Sequence, residues 1–134
     1  MDAYMVTFQE HGDERGMLVA LEYEKECPFP IKRVYYMYDT KEKVRRGYHA
    51  HRNLQQLLIC VNGSCKIHLD DGEETKEIIL DTPQKGLYLG NGIWREMYDF
   101  TPGTVLMSLA SELYDETDYI RDYQQFIEEK KKNL

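Results

Sequence analysis

Apolar and polar positions alternate along most of the chain in short runs. Met17–Leu21, Ile31–Tyr38, Gly47–His51 and Gln55–Val61 read as strands, rich in aliphatic, aromatic and β-branched residues. Cys65–Leu69, Glu77–Leu80, Gly86–Leu89, Trp94–Tyr98 and Val105–Leu109 complete the set. Asn62-Gly63 predicts a tight hairpin between two of these runs, and Asp70-Asp71-Gly72 predicts another turn. Many short strands punctuated by Gly, Asp, Asn and Pro predict an all-β barrel or double-sheet jelly roll. The C-terminus changes period. Tyr119, Ile120, Tyr123, Phe126 and Ile127 share one helical face, which predicts a helix capped by Asp115 or Thr117 and ending near Lys130. Lys130, Lys131 and Lys132 suit the negative end of its dipole and read as a solvated helix end.

At 134 residues the expectation is one domain, spanning 1–134, with a core of its own. The formal net charge of −7 argues against general nucleic-acid binding, which needs a basic surface. It leaves room for a small anionic ligand, because Arg33, Arg45, Arg46 and Arg95 lie close to the motifs below. No run reaches the roughly 20 apolar residues of a membrane span. Met1–Met5 has no basic stretch followed by an apolar one, so no secretion signal is expected. Cys27, Cys60 and Cys65 are odd in number and lack CxxC spacing, as free thiols in a cytoplasmic protein would be.

The candidate chemistry starts at Arg46-Gly47-Tyr48-His49-Ala50-His51. Two histidines at i and i+2 point to one face of a strand, as a metal site or an acid/base pair would require. The next candidate ligands are Gln56, a weak one, and Arg95, which has five donors, no lone pair and a permanent charge. That set favours proton transfer without a metal. Arg33 and Tyr35 share a strand face, opposite to Tyr36. They are candidates for ligand contact, although aromatic residues on strands also serve barrel packing. Arg46 fits a diphosphate in two-point geometry or, equally, a surface ion pair. His11, in a polar loop, and His68, between Ile67 and Leu69, read as solvated. Trp94 is open to either a core role or stacking on a base.

The spacing resembles the cupin signature. His49-Ala50-His51 is followed by Gln56 and Gly63, and Gly90-Asn91-Gly92 leads through Ile93-Trp94 to Arg95. The resemblance narrows over Pro28–Tyr36, Arg46–His51, Leu58–Ser64, Gly86–Tyr88, Trp94–Glu96 and Tyr114–Arg121. Together these are similar to the dTDP-4-oxo-6-deoxyglucose 3,4-ketoisomerases, metal-free cupins of amino-sugar biosynthesis.

The resemblance implies a cupin jelly roll, dTDP-4-oxo-6-deoxy-D-glucose as substrate, no cofactor, and a homodimer with exchanged N-terminal strands. It implies a ketone moved from C4 to C3 through an enediolate, with His51 as the C3 base and His49 as proton shuttle, or the reverse. Tyr35 would donate to the enediolate, and Arg33, Arg46, Arg95 and Arg15 would bind substrate. Arg95 would also depress the histidine pKa values. Arg15 resembles the subgroup forming galacto products at C4, and Arg95 the subgroup forming gluco products. A 3,5-epimerase and a non-catalytic sugar-nucleotide binder are the competing readings.

Overall fold

The computed structural model describes residues 1–133. In chain order the elements are β1 (Ala3–Thr7), β2 (His11–Asp13), β3 (Gly16–Leu18), β4 (Arg33–Met37), β5 (Arg46–His51), β6 (Gln56–Asn62), β7 (Cys65–Asp70), β8 (Thr75–Leu80), β9 (Lys85–Leu89), β10 (Trp94–Tyr98), β11 (Val105–Ala110), β12 (Tyr119–Ile120) and α1 (Tyr123–Lys132). They form two five-stranded antiparallel sheets, ordered β1-β9-β6-β11-β4 and β12-β5-β10-β7-β8. β2 and β3 pair only with each other. This is the expected all-β jelly roll with a C-terminal helix.

Period-2 alternation places the core. Leu58, Cys60, Leu87, Leu89 and Leu106 of the first sheet meet Cys65, Ile67, Leu69 and Met97 of the second. The first sheet is covered on its other face as well. Leu57, Ile59, Tyr88 and Leu109 pack there against Phe8, Cys27 and Phe29. Burial on both faces explains why β6 reads as a continuous apolar run rather than an alternating one. On the outside of the second sheet, Ala50 and Trp94 pack against Ile120 and Phe126. Trp94 is therefore a core residue that seats α1, not a free stacking platform.

Three sequence expectations change. Asn62-Gly63 is not a hairpin, because β6 and β7 lie in different sheets. It is a corner between the sheets, held by Asn62 Nδ2 donating to the Gly103 carbonyl at 2.7 Å and by Ser64 N donating to Thr101 Oγ1 at 2.9 Å. The helix begins later than expected, with Asp122 as its cap, accepting from Gln125 N at 3.0 Å. Asp115 instead caps a short 3-10 turn over Glu116–Asp118, and Tyr119-Ile120 becomes a strand that satisfies the open edge of β5. The expected strand over residues 17–21 shrinks to β3, one half of a ribbon that leaves the body of the molecule.

Candidate active site

The site lies where the space between the sheets turns from apolar to polar. β5 carries both histidines and reaches the site through a bulge. Arg95 pairs with His49 and Glu96 with Gly47, so Tyr48 is the extra residue. Gly47 and Tyr48 sit at φ 94° and 57°. A Cβ on Gly47 would lie 2.8 Å from the Arg95 carbonyl oxygen, so glycine is required there. Beyond the bulge the alternation resumes. Ala50 turns to the helix side, and both imidazoles face the space between the sheets. Their centroids are 4.9 Å apart, edge to face. Tyr119 covers both rings, 5.0 Å from His49 and 4.3 Å from His51.

His51 is 1 % exposed, and its Nδ1 lies 3.1 Å from Asp118 Oδ2. Asp118 is fixed in turn by Asn53 N at 2.7 Å and Leu54 N at 3.2 Å. A carboxylate accepts, so His51 carries its proton on Nδ1 and its free lone pair on Nε2. Burial, then the Arg95 charge, pushes the His51 pKa down to about 2. The same two causes push His49 down to about 4. The Asp118 carboxylate acts on His51 in the opposite direction. Both imidazoles are neutral at pH 7. His49 Nδ1 is buried without a hydrogen-bond partner among the described residues.

Arg95 is 2 % exposed and, among the described residues, has no carboxylate in contact. Its Nε and Nη2 donate to the Ile93 carbonyl at 3.2 and 3.0 Å, and its Nη1 donates to Gln56 Oε1. Gln56 Nε2 donates onward to Tyr35 OH at 2.7 Å and Ser108 Oγ at 2.8 Å. A buried cation with only neutral acceptors is costly, and burial lowers the Arg95 pKa to about 10. It remains charged at pH 7 and leaves the site one anion short.

A cavity of about 310 Å³ opens above this layer, lined by Arg33, Tyr35, Arg46, His49, Tyr119 and Arg121, among others. It narrows toward Gln56 and Arg95, where there is space for about one water. Arg33 lies 5.3 Å from the Tyr35 ring centroid, and Arg121 lies 4.2 Å from that of Tyr119. Arg121 is held by Glu116 at 2.8 Å, and the guanidiniums of Arg33 and Arg46 at the mouth favour an anionic ligand. A larger open cleft of about 530 Å³ beyond Asp118 is lined by Glu112, Asp115 and Asp118 against the single cation Lys32, itself paired with Glu112, and that balance disfavours a phosphate.

The structure thus brings together His49, His51, Tyr35, Arg33, Arg46 and Arg95. It does not bring Arg15 to them. Arg15 lies at the turn of the β2–β3 ribbon, exposed and paired with Asp13 at 2.6 Å. Arg45, one of the four arginines near the motifs, pairs with Glu96 at 2.7 Å and stacks on Tyr98. His11 is exposed, and His68 lies 2.6 Å from Glu77 on the neighbouring strand, away from the site. Asp118, Tyr119 and Arg121 entered the sequence reading within the Tyr114–Arg121 motif, and Ser108 within the Val105–Leu109 strand, none of them with a site role. The available signal was Asp122 with Gln125 three residues on, a capping pair that moves the helix start and frees residues 118–120 for another role. The donor set does not fit a metal ion. Gln56 Oε1 is already engaged by a guanidinium, whose positive charge sits beside the two histidines.

The family model described as FdtA: WxcM-like, C-terminal, matches residues 1–131. The chain belongs to this family. The TDP-4-oxo-6-deoxy-alpha-D-glucose-3,4-oxoisomerase of Aneurinibacillus thermoaerophilus is 53 % identical over 126 residues, covering 94 % of this chain and 91 % of that one. Among solved structures, a 3,4-ketoisomerase from Helicobacter canadensis is 50 % identical, with a TM-score of 0.95 and 98 % of each chain covered. A histidine-to-asparagine mutant of the 3,4-ketoisomerase QdtA from Thermoanaerobacterium thermosaccharolyticum, in complex with TDP-4-keto-6-deoxyglucose, is 48 % identical. Its TM-score is 0.96, with 99 % of this chain and 96 % of that one covered. The resemblance read from the motifs is borne out.

Proposed function

We propose that this chain converts a TDP-4-keto-6-deoxyhexose, TDP-4-keto-6-deoxyglucose in the first instance, into its 3-keto isomer by proton transfer alone. One observation carries the mechanism: a neutral imidazole fixed by Asp118 lies against His49 of the cavity wall and within the field of the buried Arg95 charge, which has no carboxylate partner among the described residues. His51 Nε2 takes the C3 proton. The C3–H pair becomes the C3–C4 double bond, and the carbonyl pair moves onto O4. Tyr35 OH protonates O4 and recovers a proton from O3. The C3–O3 bond then becomes the ketone as the C3–C4 double-bond pair takes a proton onto C4 from the His51 imidazolium, which exchanges with solvent and returns to its neutral form, and no atom is gained or lost. Arg95 stabilises the negative charge of the enediolate and, through it, the imidazolium formed beside it. His49, at the cavity wall, hydrogen-bonds the sugar oxygens and passes protons. Arg33 and Arg46 meet the sugar and the diphosphate.

The test is turnover with EDTA present in deuterated water, read by NMR. The expected product has its ketone at C3 and solvent deuterium at C4. Deuterium at C3 and C5 with the 4-ketone retained would make the chain an epimerase, and an unchanged bound sugar would make it a sensor.

The working unit in this reading is one domain over 1–134, placed in the cytoplasm, where Cys27, Cys60 and Cys65 stay free thiols. Among the described residues no helix is long and apolar enough to cross a membrane. The working assembly is a homodimer that exchanges its β2–β3 ribbons. Every residue of both strands is exposed, including Met17 at 60 % and Leu18 at 59 %. A lone two-stranded ribbon is marginal in water and needs a surface to cover it. Val34 and Tyr36 on the outer face of edge strand β4 are equally bare. Exchange would also carry Arg15 towards a second pocket. Light scattering behind a sizing column is expected to give twice the 15.9 kDa chain mass. A monomer mass at micromolar concentration would sink the exchanged dimer.

A further inference from the structure

We infer that Gln56 is a positioning residue that aims the Tyr35 hydroxyl proton at the substrate and stabilises the phenolate formed when that proton leaves. The inference rests on the reading of Tyr35 as the oxygen-to-oxygen proton carrier.

The network leaves Gln56 one orientation. Arg95 can only donate, so the atom it meets is Oε1, and the amide nitrogen must face Tyr35 and Ser108. Both amide hydrogens are then committed, one to each hydroxyl. Tyr35 OH accepts from Gln56 at 2.7 Å and, among the described residues, donates to no protein group. Its own hydrogen is therefore free to swing into the cavity that Tyr35 lines. If residue 56 presented an acceptor here, the hydroxyl would turn inward to it and the substrate would lose its donor.

The same bond couples charge. Arg95 is sealed from the wide part of the cavity and reaches it along Arg95→Gln56→Tyr35. A guanidinium donating to the amide oxygen polarises the N–H that points at Tyr35, which strengthens the bond as the phenol becomes a phenolate. Gln56 thus lets one fixed charge support two groups, the enediolate and the carrier that serves it.

The experiment is a double-mutant cycle on Tyr35→Phe and Gln56→Glu, with kcat and KM measured for each. Glutamate is nearly isosteric and accepts from both Arg95 and Tyr35, so it turns the hydroxyl inward. Tyr35→Phe alone is expected to lower kcat by about 10²-fold with KM within about threefold. Gln56→Glu is expected to do the same, and the double variant to be no slower than the slower single, within about threefold. Multiplying losses would overturn the role of Gln56, because the glutamate would then be acting through neutralisation of Arg95. A Tyr35→Phe variant with wild-type kcat would overturn the reading of Tyr35 itself. Should Gln56→Glu fail to fold, Gln56→Met removes both donors while keeping the volume. The same non-multiplying cycle is then expected, and multiplying losses again overturn the inference.

Discussion

His51→Asn is expected to lower kcat by about 10²–10⁴-fold while the nucleotide sugar still binds. Asparagine keeps a donor toward Asp118 and removes the Nε2 lone pair, so the variant tests the base and spares its anchor. Steady-state turnover together with calorimetric titration of the substrate reads both quantities. A loss under about tenfold would take the base role away from His51. A large loss in His49→Asn with a small one in His51→Asn would exchange the two roles. The pairing with Asp118 favours His51, because that bond fixes which ring nitrogen carries the free lone pair.

A base with a pKa pushed down to about 2 looks too weak for a C–H proton. The resting site, however, carries an unanswered positive charge on Arg95. As the C3 proton moves, the substrate becomes an anion and His51 a cation. Arg95 then supports the enediolate across Gln56 and Tyr35, and Asp118, 3.1 Å away, faces the imidazolium. Each new charge arrives opposite a fixed partner. The net charge of the site is unchanged, and the dipoles that solvate the new pair are already in place. The histidines are held neutral and ready at rest, and their basicity rises only as the reaction proceeds.

The sequence makes some of this arrangement legible and hides the rest, for identifiable reasons. A spacing of two on a strand is enough to put His49 with His51 and Arg33 with Tyr35, because pleat geometry is local. The convergence of Arg95 and Gln56 on them depends on sheet pairing, which the Gly47-Tyr48 bulge shifts by one residue. Asp118 was obscured by a real ambiguity. Tyr119, Ile120, Tyr123 and Phe126 satisfy a helical period, and what decides against helix at Tyr119-Ile120 is the unpaired edge of β5, a tertiary fact. Asn62-Gly63 misled for a similar reason. The turn chemistry is genuine, with Gly63 at φ 76°, but a turn does not reveal which sheet the next strand joins. Arg15 depends on a ribbon whose two strands, among the described residues, pair only with each other.

Arg95→Met is expected to lower kcat by about 10²–10³-fold and, as the more telling sign, to move the acid limb of the pH–rate profile upward. The guanidinium disfavours a second cation nearby, so it holds both histidines below their ordinary value. With Arg95 intact, kcat/KM should stay flat as pH falls towards about 4, the value to which His49 is pushed. With methionine in its place burial still lowers both pKa values, but one of the two causes is gone. The limb should then rise by about one pH unit or more, remaining below the ordinary histidine value. Folding should survive. Removing a buried cation without a carboxylate partner is a gain, which offsets the loss of its bonds to Gln56 and Ile93. A loss of kcat with an unmoved acid limb would mean that Arg95 acts only by contact, through Gln56. A displaced limb with near-normal kcat would mean that its charge tunes the histidines and leaves the enediolate to other groups. Only both effects together support one buried charge serving the base at rest and the enediolate during turnover.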